Sequence, residues 1–157
     1  MKLSTKARYG IRALIELALQ DKKQPMLLRD IAGKQGISQS YLEQIIGPLV
    51  NGGILRSIKG PRGGILLNKE PSAIRVSDII RLLEGSFAPV DCVDNPDICE
   101  RAADCVTRDV WVQMRDAMNS VLDTKTLQDL VDSQREKELA CLPPDNIEMA
   151  VAGEHER

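Results

Sequence analysis

Between residues 5 and 20 apolar side chains return at three- and four-residue steps: Ala7, Ile11, Leu14, Ile15, Ala18 and Leu19. The step matches one face of a helix and predicts a first amphipathic helix, with Arg8 and Arg12 on its polar side. The stretch DKKQP breaks it, and Leu28, Ile31 and Ala32 predict a short second helix that turns through Gly36. Leu42, Ile45, Ile46 and Leu49 mark a third. Ser38 and Ser40 are both candidate N-caps for it, and Ser40 to Glu43 has capping-box spacing. Pro48 removes the bond to the Gln44 carbonyl and predicts a kink in the last turn, before Asn51-Gly52-Gly53 ends the helix.

From residue 54 the period changes. Two aliphatic runs flank KGPRGG, a β-hairpin signature over 54–67. A fourth helix fits 76–84, with Val76, Ile79, Ile80 and Leu83 inward. Residues 85–104 show no sustained period. A longer helix begins near 105, with Val106, Val110, Met114, Ala117 and Val121 on one face, widened by Trp111, Met118 and Leu122. Another helical stretch covers 126–138, and the segment 139–157, with Pro143-Pro144 and scattered charge, is expected to be a disordered tail. The fold class is therefore mainly α with a small β-hairpin. We divide it into a winged helix-turn-helix over 1–84, a cysteine-bearing loop over 85–105, and a long C-terminal helix with its follower over 106–138.

Charge sharpens this division. Residues 1–70 hold twelve Lys and Arg against five Asp and Glu, while residues 71–157 hold nine against eighteen. A basic front half on an acidic back half suggests a nucleic-acid-binding module joined to a second function. No apolar run approaches the ~20 residues of a membrane span, and the start lacks a secretory cleavage pattern. The expectation is a cytoplasmic protein without a membrane partner, whose thiols stay reduced. A lone histidine and no phosphate-binding glycine motif leave no recognisable catalytic set, so an enzyme is not expected.

Three helices and then a hairpin is the order of a winged helix-turn-helix, a fold that also serves in protein–protein contacts. The third helix offers Ser38, Gln39, Ser40, Tyr41, Glu43 and Gln44, side chains able to bond phosphates and base edges. The hairpin loop sets Lys59 and Arg62 among glycines, suiting phosphates or a narrow minor groove.

Cys92, Cys99 and Cys105 crowd a short acidic segment, spaced C-x₆-C and C-x₅-C. Thiolates are the usual ligands of iron–sulfur clusters, and three in one irregular loop can converge. The spacing is longer than a zinc knuckle normally shows. A bound zinc, a disulfide switch and unused thiols all remain open on the residues alone.

MKLSTKARYGIRAL, ISQSYLEQIIGPLVNGGILRSIKGPRGGILL and the cysteine cluster together resemble the IscR-like winged-helix iron–sulfur transcriptional regulators, a family that also includes NsrR and RirA. The likeness spans roughly residues 1–138. It implies a homodimer built on the long helix and a two-fold, double-stranded DNA operator. It also implies DNA contacts from Ser38, Ser40, Tyr41 and Gln44 on the helix and from Lys59 and Gly60 at the wing, with Glu43 influencing operator choice.

Cys92, Cys99 and Cys105 match the family's three cluster ligands, with [2Fe–2S] favoured and [4Fe–4S] open. The fourth ligand does not carry over. Arg108 stands where IscR-like chains have a histidine, and Arg8 where NsrR-like chains have an aspartate. A guanidinium cannot deprotonate to bind iron. Glu100, Asp104 and Asp109 are the weak local candidates; Cys141 and His155 lie at or in the expected tail. The expected function is a cluster-sensing regulator that represses cluster-assembly genes in its holo form. Sensing of nitric oxide, iron or redox state is the alternative within the family, and a cluster carrier or electron-transfer protein is the alternative outside it.

Overall fold

The computed structural model describes residues 3–20 and 24–141. Helix α1 (Thr5–Leu19) opens on Ser4, whose hydroxyl accepts from the Lys6 N–H at 3.0 Å. Helix α2 (Leu28–Gln35) ends at Gly36 with φ +65°. There the Ile37 N–H reaches back to the Ala32 carbonyl at 3.1 Å, closing a Schellman-type cap that needs a residue at ease with positive φ. Helix α3 (Gln39–Asn51) follows within two residues and runs through Pro48 to its end. Its N-cap is Ser38, which accepts from the Tyr41 N–H at 3.2 Å. Ser40 is the second residue of the helix, so the capping box expected at Ser40 and Glu43 does not form; the Glu43 carboxylate takes the Gln39 side-chain amide at 3.0 Å instead.

Strands β1 (Leu55–Ile58) and β2 (Gly64–Leu67) pair antiparallel, with Leu55 opposite Leu67 and Ile58 opposite Gly64. An isolated bridge from Met26 to Ile65 ties the α1–α2 connection to the hairpin. Leu14, Ile31, Leu42, Ile45 and Leu49 meet in the centre of the head at zero exposure. Each such side chain contributes ~1.5–3 kcal/mol by leaving water. Helix α4 (Val76–Glu84) closes the head against α1 and α3.

The stretch 85–104, which lacks a period, contains α5 (Asp91–Asp94), a single turn, and a 3₁₀ turn at Pro96–Ile98. Helix α6 (Val106–Thr124) then leaves the head, and α7 (Leu127–Ala140) returns to it, two residues longer than its predicted end at 138. The return is fixed by backbone: Val76 N–H to the Lys125 carbonyl at 2.9 Å and Leu127 N–H to the Ile74 carbonyl at 2.8 Å. Leu127 and Val131 bury into the head's core. A smaller cluster of Val76, Ile80 and Phe87 receives Met118 and Leu122 from α6. The expected tail and His155 fall outside the described residues, apart from 139–141.

A candidate DNA interface and a cysteine-bearing joint

The predicted reading residues occupy one exposed end of the head. Ser38, Ser40, Glu43 and Gln44 are exposed on the first two turns of α3, and the Ser38 and Ser40 hydroxyls lie 3.3 Å apart. Ser38 thus both caps the helix and faces outward. Tyr41 is different: it is half-buried, its hydroxyl lies 2.7 Å from that of Thr5, and its ring meets Tyr9 edge-on at 6.2 Å. Arg12 stands over the other ring, 5.7 Å from the Tyr9 centroid. Thr5 and Tyr9 therefore orient the start of the reading helix from α1. Pattern reasoning missed them because this contact links residues 36 apart in sequence.

The hairpin tip carries Lys59, Gly60 and Arg62, all exposed. Among the described residues neither Lys59 nor Arg62 has an ion-pair partner. A Cβ at Gly63 would collide with the Ile58 carbonyl, so the tight tip that presents these cations requires glycine there. A groove of about 260 Å³ joins Gln39 at the start of α3 to Ser57, Gly64 and Ile65 of the hairpin and to Arg29 of α2. Arg29, its side chain 74% exposed and 3.5 Å from the carboxylate of its neighbour Asp30, adds a cation to this end of the head that sequence reasoning did not single out.

The thiols are free and partly exposed: Cys92, Cys99 and Cys105 are half-buried, and Cys141 is exposed at the end of α7. Each of the three belongs to a separate local turn. Cys92 lies within α5, Cys99 ends the 3₁₀ turn, and Cys105 is the N-cap residue of α6. Among the described residues no three His, Cys, Asp or Glu side chains are grouped to hold a metal, so the expected convergence on one site is not present. Each cysteine follows the hydrogen bonding of its own turn, as where the Ala102 N–H bonds the Cys99 carbonyl at 3.0 Å. Glu100, Asp104 and Asp109 are exposed and join no such group with the thiols.

The chemistry of the donors nevertheless suits a thiophilic centre. The Thr107 hydroxyl, 3.1 Å from Cys105 Sγ, and the Arg108 N–H hold the Cys105 thiol below its ordinary pKa. That favours the thiolate, the form that binds metals. Arg108 does not face a metal site; its Nε donates to the Cys92 carbonyl at 2.8 Å.

Apart from Met118 and Leu122, the apolar face predicted for α6 is largely uncovered. No residue of the helix is fully buried, and Val106, Val110, Met114 and Val121 are 77, 55, 42 and 62% exposed. Beside it runs a largely apolar groove of about 730 Å³, lined by Phe87, Met114, Met118, Val121 and Leu122, with Leu3 at the edge. None of the described helices is long and apolar enough to cross a membrane.

The sequence profile of the Rrf2 family, described as iron-dependent transcriptional regulators, matches residues 3–133. The HTH-type transcriptional regulator CymR of Bacillus subtilis is 43% identical over 130 residues, covering 83% of this chain and 89% of that protein. The solved structure of CymR, the global cysteine regulator of B. subtilis, superposes with a TM-score of 0.70 at 43% identity, over 85% of this chain and 98% of that one. The structure of T. potens IscR gives a TM-score of 0.71 at 36% identity, over 91% and 93%. The IscR-like resemblance is thus one branch of a broader kinship, and CymR shares more identical positions with this chain than that IscR does.

Proposed function

Because this chain belongs to the Rrf2 family of transcriptional regulators, we propose that it acts in the cytoplasm as a dimeric repressor whose grip on DNA is set by an iron–sulfur cluster on Cys92, Cys99 and Cys105. One observation carries the reading: all three thiols, free and partly exposed, sit in the joint between the DNA-facing head and the uncovered helix α6. The donors fit such a centre in kind and access; three thiols leave one position for a further ligand, and binding would draw their three turns together. A cluster held there supplies an iron–sulfide core that is gained, lost or modified with iron supply and oxidants. We favour [2Fe–2S], with [4Fe–4S] as the alternative, and genes of cluster assembly as the targets.

The chain's own residues do the rest. Ser38, Ser40, Glu43 and Gln44 offer donors and acceptors to base edges and phosphates from the first turns of α3. Tyr41, held by Thr5 and Tyr9, can accept from the Thr5 hydroxyl and donate its own to a phosphate. Lys59 and Arg62, with the backbone at Gly60, engage phosphates or a narrow groove beside the helix. The apolar stripe of α6 pairs with that of a second copy, setting the two reading heads at a fixed separation for a two-fold operator.

The test is anaerobic purification and reconstitution, with iron and sulfide assay, visible circular dichroism and Mössbauer spectra. Fluorescence anisotropy on a cluster-assembly promoter follows, for apo and loaded protein. The reading expects a coloured protein whose two forms differ at least about ten-fold in affinity, a coupling of ordinary allosteric size. Equal affinities, or failure to take up iron, would remove it. A second reading follows from the 43% match to CymR and from the ungathered thiols: a regulator of cysteine metabolism that needs no cluster. Cluster-free protein binding sulfur-metabolism promoters at full affinity would favour that one.

A further inference from the structure

Helix α5 is a single turn of four residues, Asp91–Asp94; the Asn95 N–H takes the Asp91 carbonyl at 3.0 Å, and the carbonyls after it lack the partners that a longer helix would supply. Two arginines of α6 meet them. Arg108 Nε donates to the Cys92 carbonyl at 2.8 Å in a partly buried bond. Arg115 Nη1 reaches the next carbonyl, that of Val93, at 3.5 Å, and lies 3.7 Å from the Asp94 carboxylate. Seven residues apart, Arg108 and Arg115 share one face of α6 two turns from each other. Cations at the carbonyl end of a turn are favourably placed. From its other side the turn is held by the Ser86 hydroxyl, which donates to Asp94.

We infer that Arg108 and Arg115 are positioning residues that fasten the Cys92-bearing turn to α6, so that any movement of that turn is passed to the pairing helix. The signal rests on the cluster reading above; the fastening itself does not. Cys92 and the carbonyl that Arg108 holds belong to one residue, and Cys105 begins the helix from which Arg108 projects. A centre that drew the two thiols together would therefore act on the turn and the helix that this bond joins. Arg108 presents only donors, so at this position it reads the backbone of a ligand residue and not the metal.

The experiment uses the full chain as wild type, Arg108→Ala, Arg108→Lys and Arg115→Ala. In apo protein, hydrogen exchange over 91–99 is expected to speed up about ten-fold in Arg108→Ala and less in Arg115→Ala. Arg108→Lys, which keeps one donor, is expected to recover part of the protection, with exchange in α3 unchanged throughout. After reconstitution with ferrous salt and sulfide, Arg108→Ala should hold as much iron as wild type, with an altered visible circular dichroism spectrum. Its apo and loaded affinities for promoter DNA should come within about two-fold of each other. Wild-type exchange over 91–99 in Arg108→Ala, or an undiminished affinity ratio with iron bound, overturns the inference. If the wild type takes up no iron, the cluster reading fails and the exchange measurement alone decides the fastening.

Discussion

Helices α3 and α6 carry the same kind of apolar stripe and meet opposite fates. In α3, Leu42, Ile45 and Leu49 reach zero exposure against α1, α2 and the hairpin. In α6, 19 residues long against 13, no side chain is fully buried. Periodicity reports that a stripe will be covered and is silent about whose chain covers it. The head closes its core with its own elements and with Leu127 and Val131 of α7. The arm packs Met118 and Leu122 against the head's smaller cluster and leaves Val106, Val110, Met114 and Val121 exposed.

The sharpest test of the difference is Leu49→Ala, which opens a cavity in a site with no slack and should cost ~2–5 kcal/mol in urea unfolding. Val110→Asp with Met114→Asp comes next. If α6 pairs with a second copy as proposed, the double change should convert dimer to monomer in sedimentation while the head keeps its helical circular dichroism; a dimer that survives breaks the contrast. Thr126→Ala removes the cap of α7, where the hydroxyl accepts from the Asp129 N–H at 3.2 Å and the Thr126 N–H donates to the carboxylate at 2.7 Å. A loss of ~0.5–2 kcal/mol is expected, read as a lower Tm without change of oligomeric state. The smallest effect concerns acid. The Thr126 N–H, then its hydroxyl, hold Asp129 below the usual carboxylate range. Its contribution is therefore complete above that range and lost as pH falls through the lowered folded-state value. Asp129→Asn should flatten the decline of Tm on acidification between about pH 5 and pH 2, and an unchanged profile would detach the cap from that decline.

The sequence revealed most where signals were local and repeated. Helix α4 falls on 76–84 as the spacing predicts, and the two strands lie within the predicted hairpin. The choice between Ser38 and Ser40 as cap was not legible, since either serine meets the local rule and only the entry path after Gly36 selects the first. The joint was legible in chemistry and not in geometry. Residues Cys92, Cys99 and Cys105 are visible at once, but each takes its place from a separate short turn that no period announces. Arg108 illustrates the limit: sequence reasoning excludes it as a ligand, and only the fold shows that it holds the Cys92 carbonyl 16 residues away.

The backbone bonds at Val76 and Leu127 leave the far end of α6 almost no freedom, since that junction is stitched to the strand-like segment before α4. Its near end is held mainly by side chains. A rod clamped at one end and sprung at the other behaves as a lever: a helix of 19 residues is roughly 28 Å long, so a tilt of about 5° swings its free tip through roughly 2.5 Å. Displacements of that order approach the roughly 3.4 Å rise between successive base pairs, and a stimulus of molecular size, applied beside the tip, is all the leverage requires.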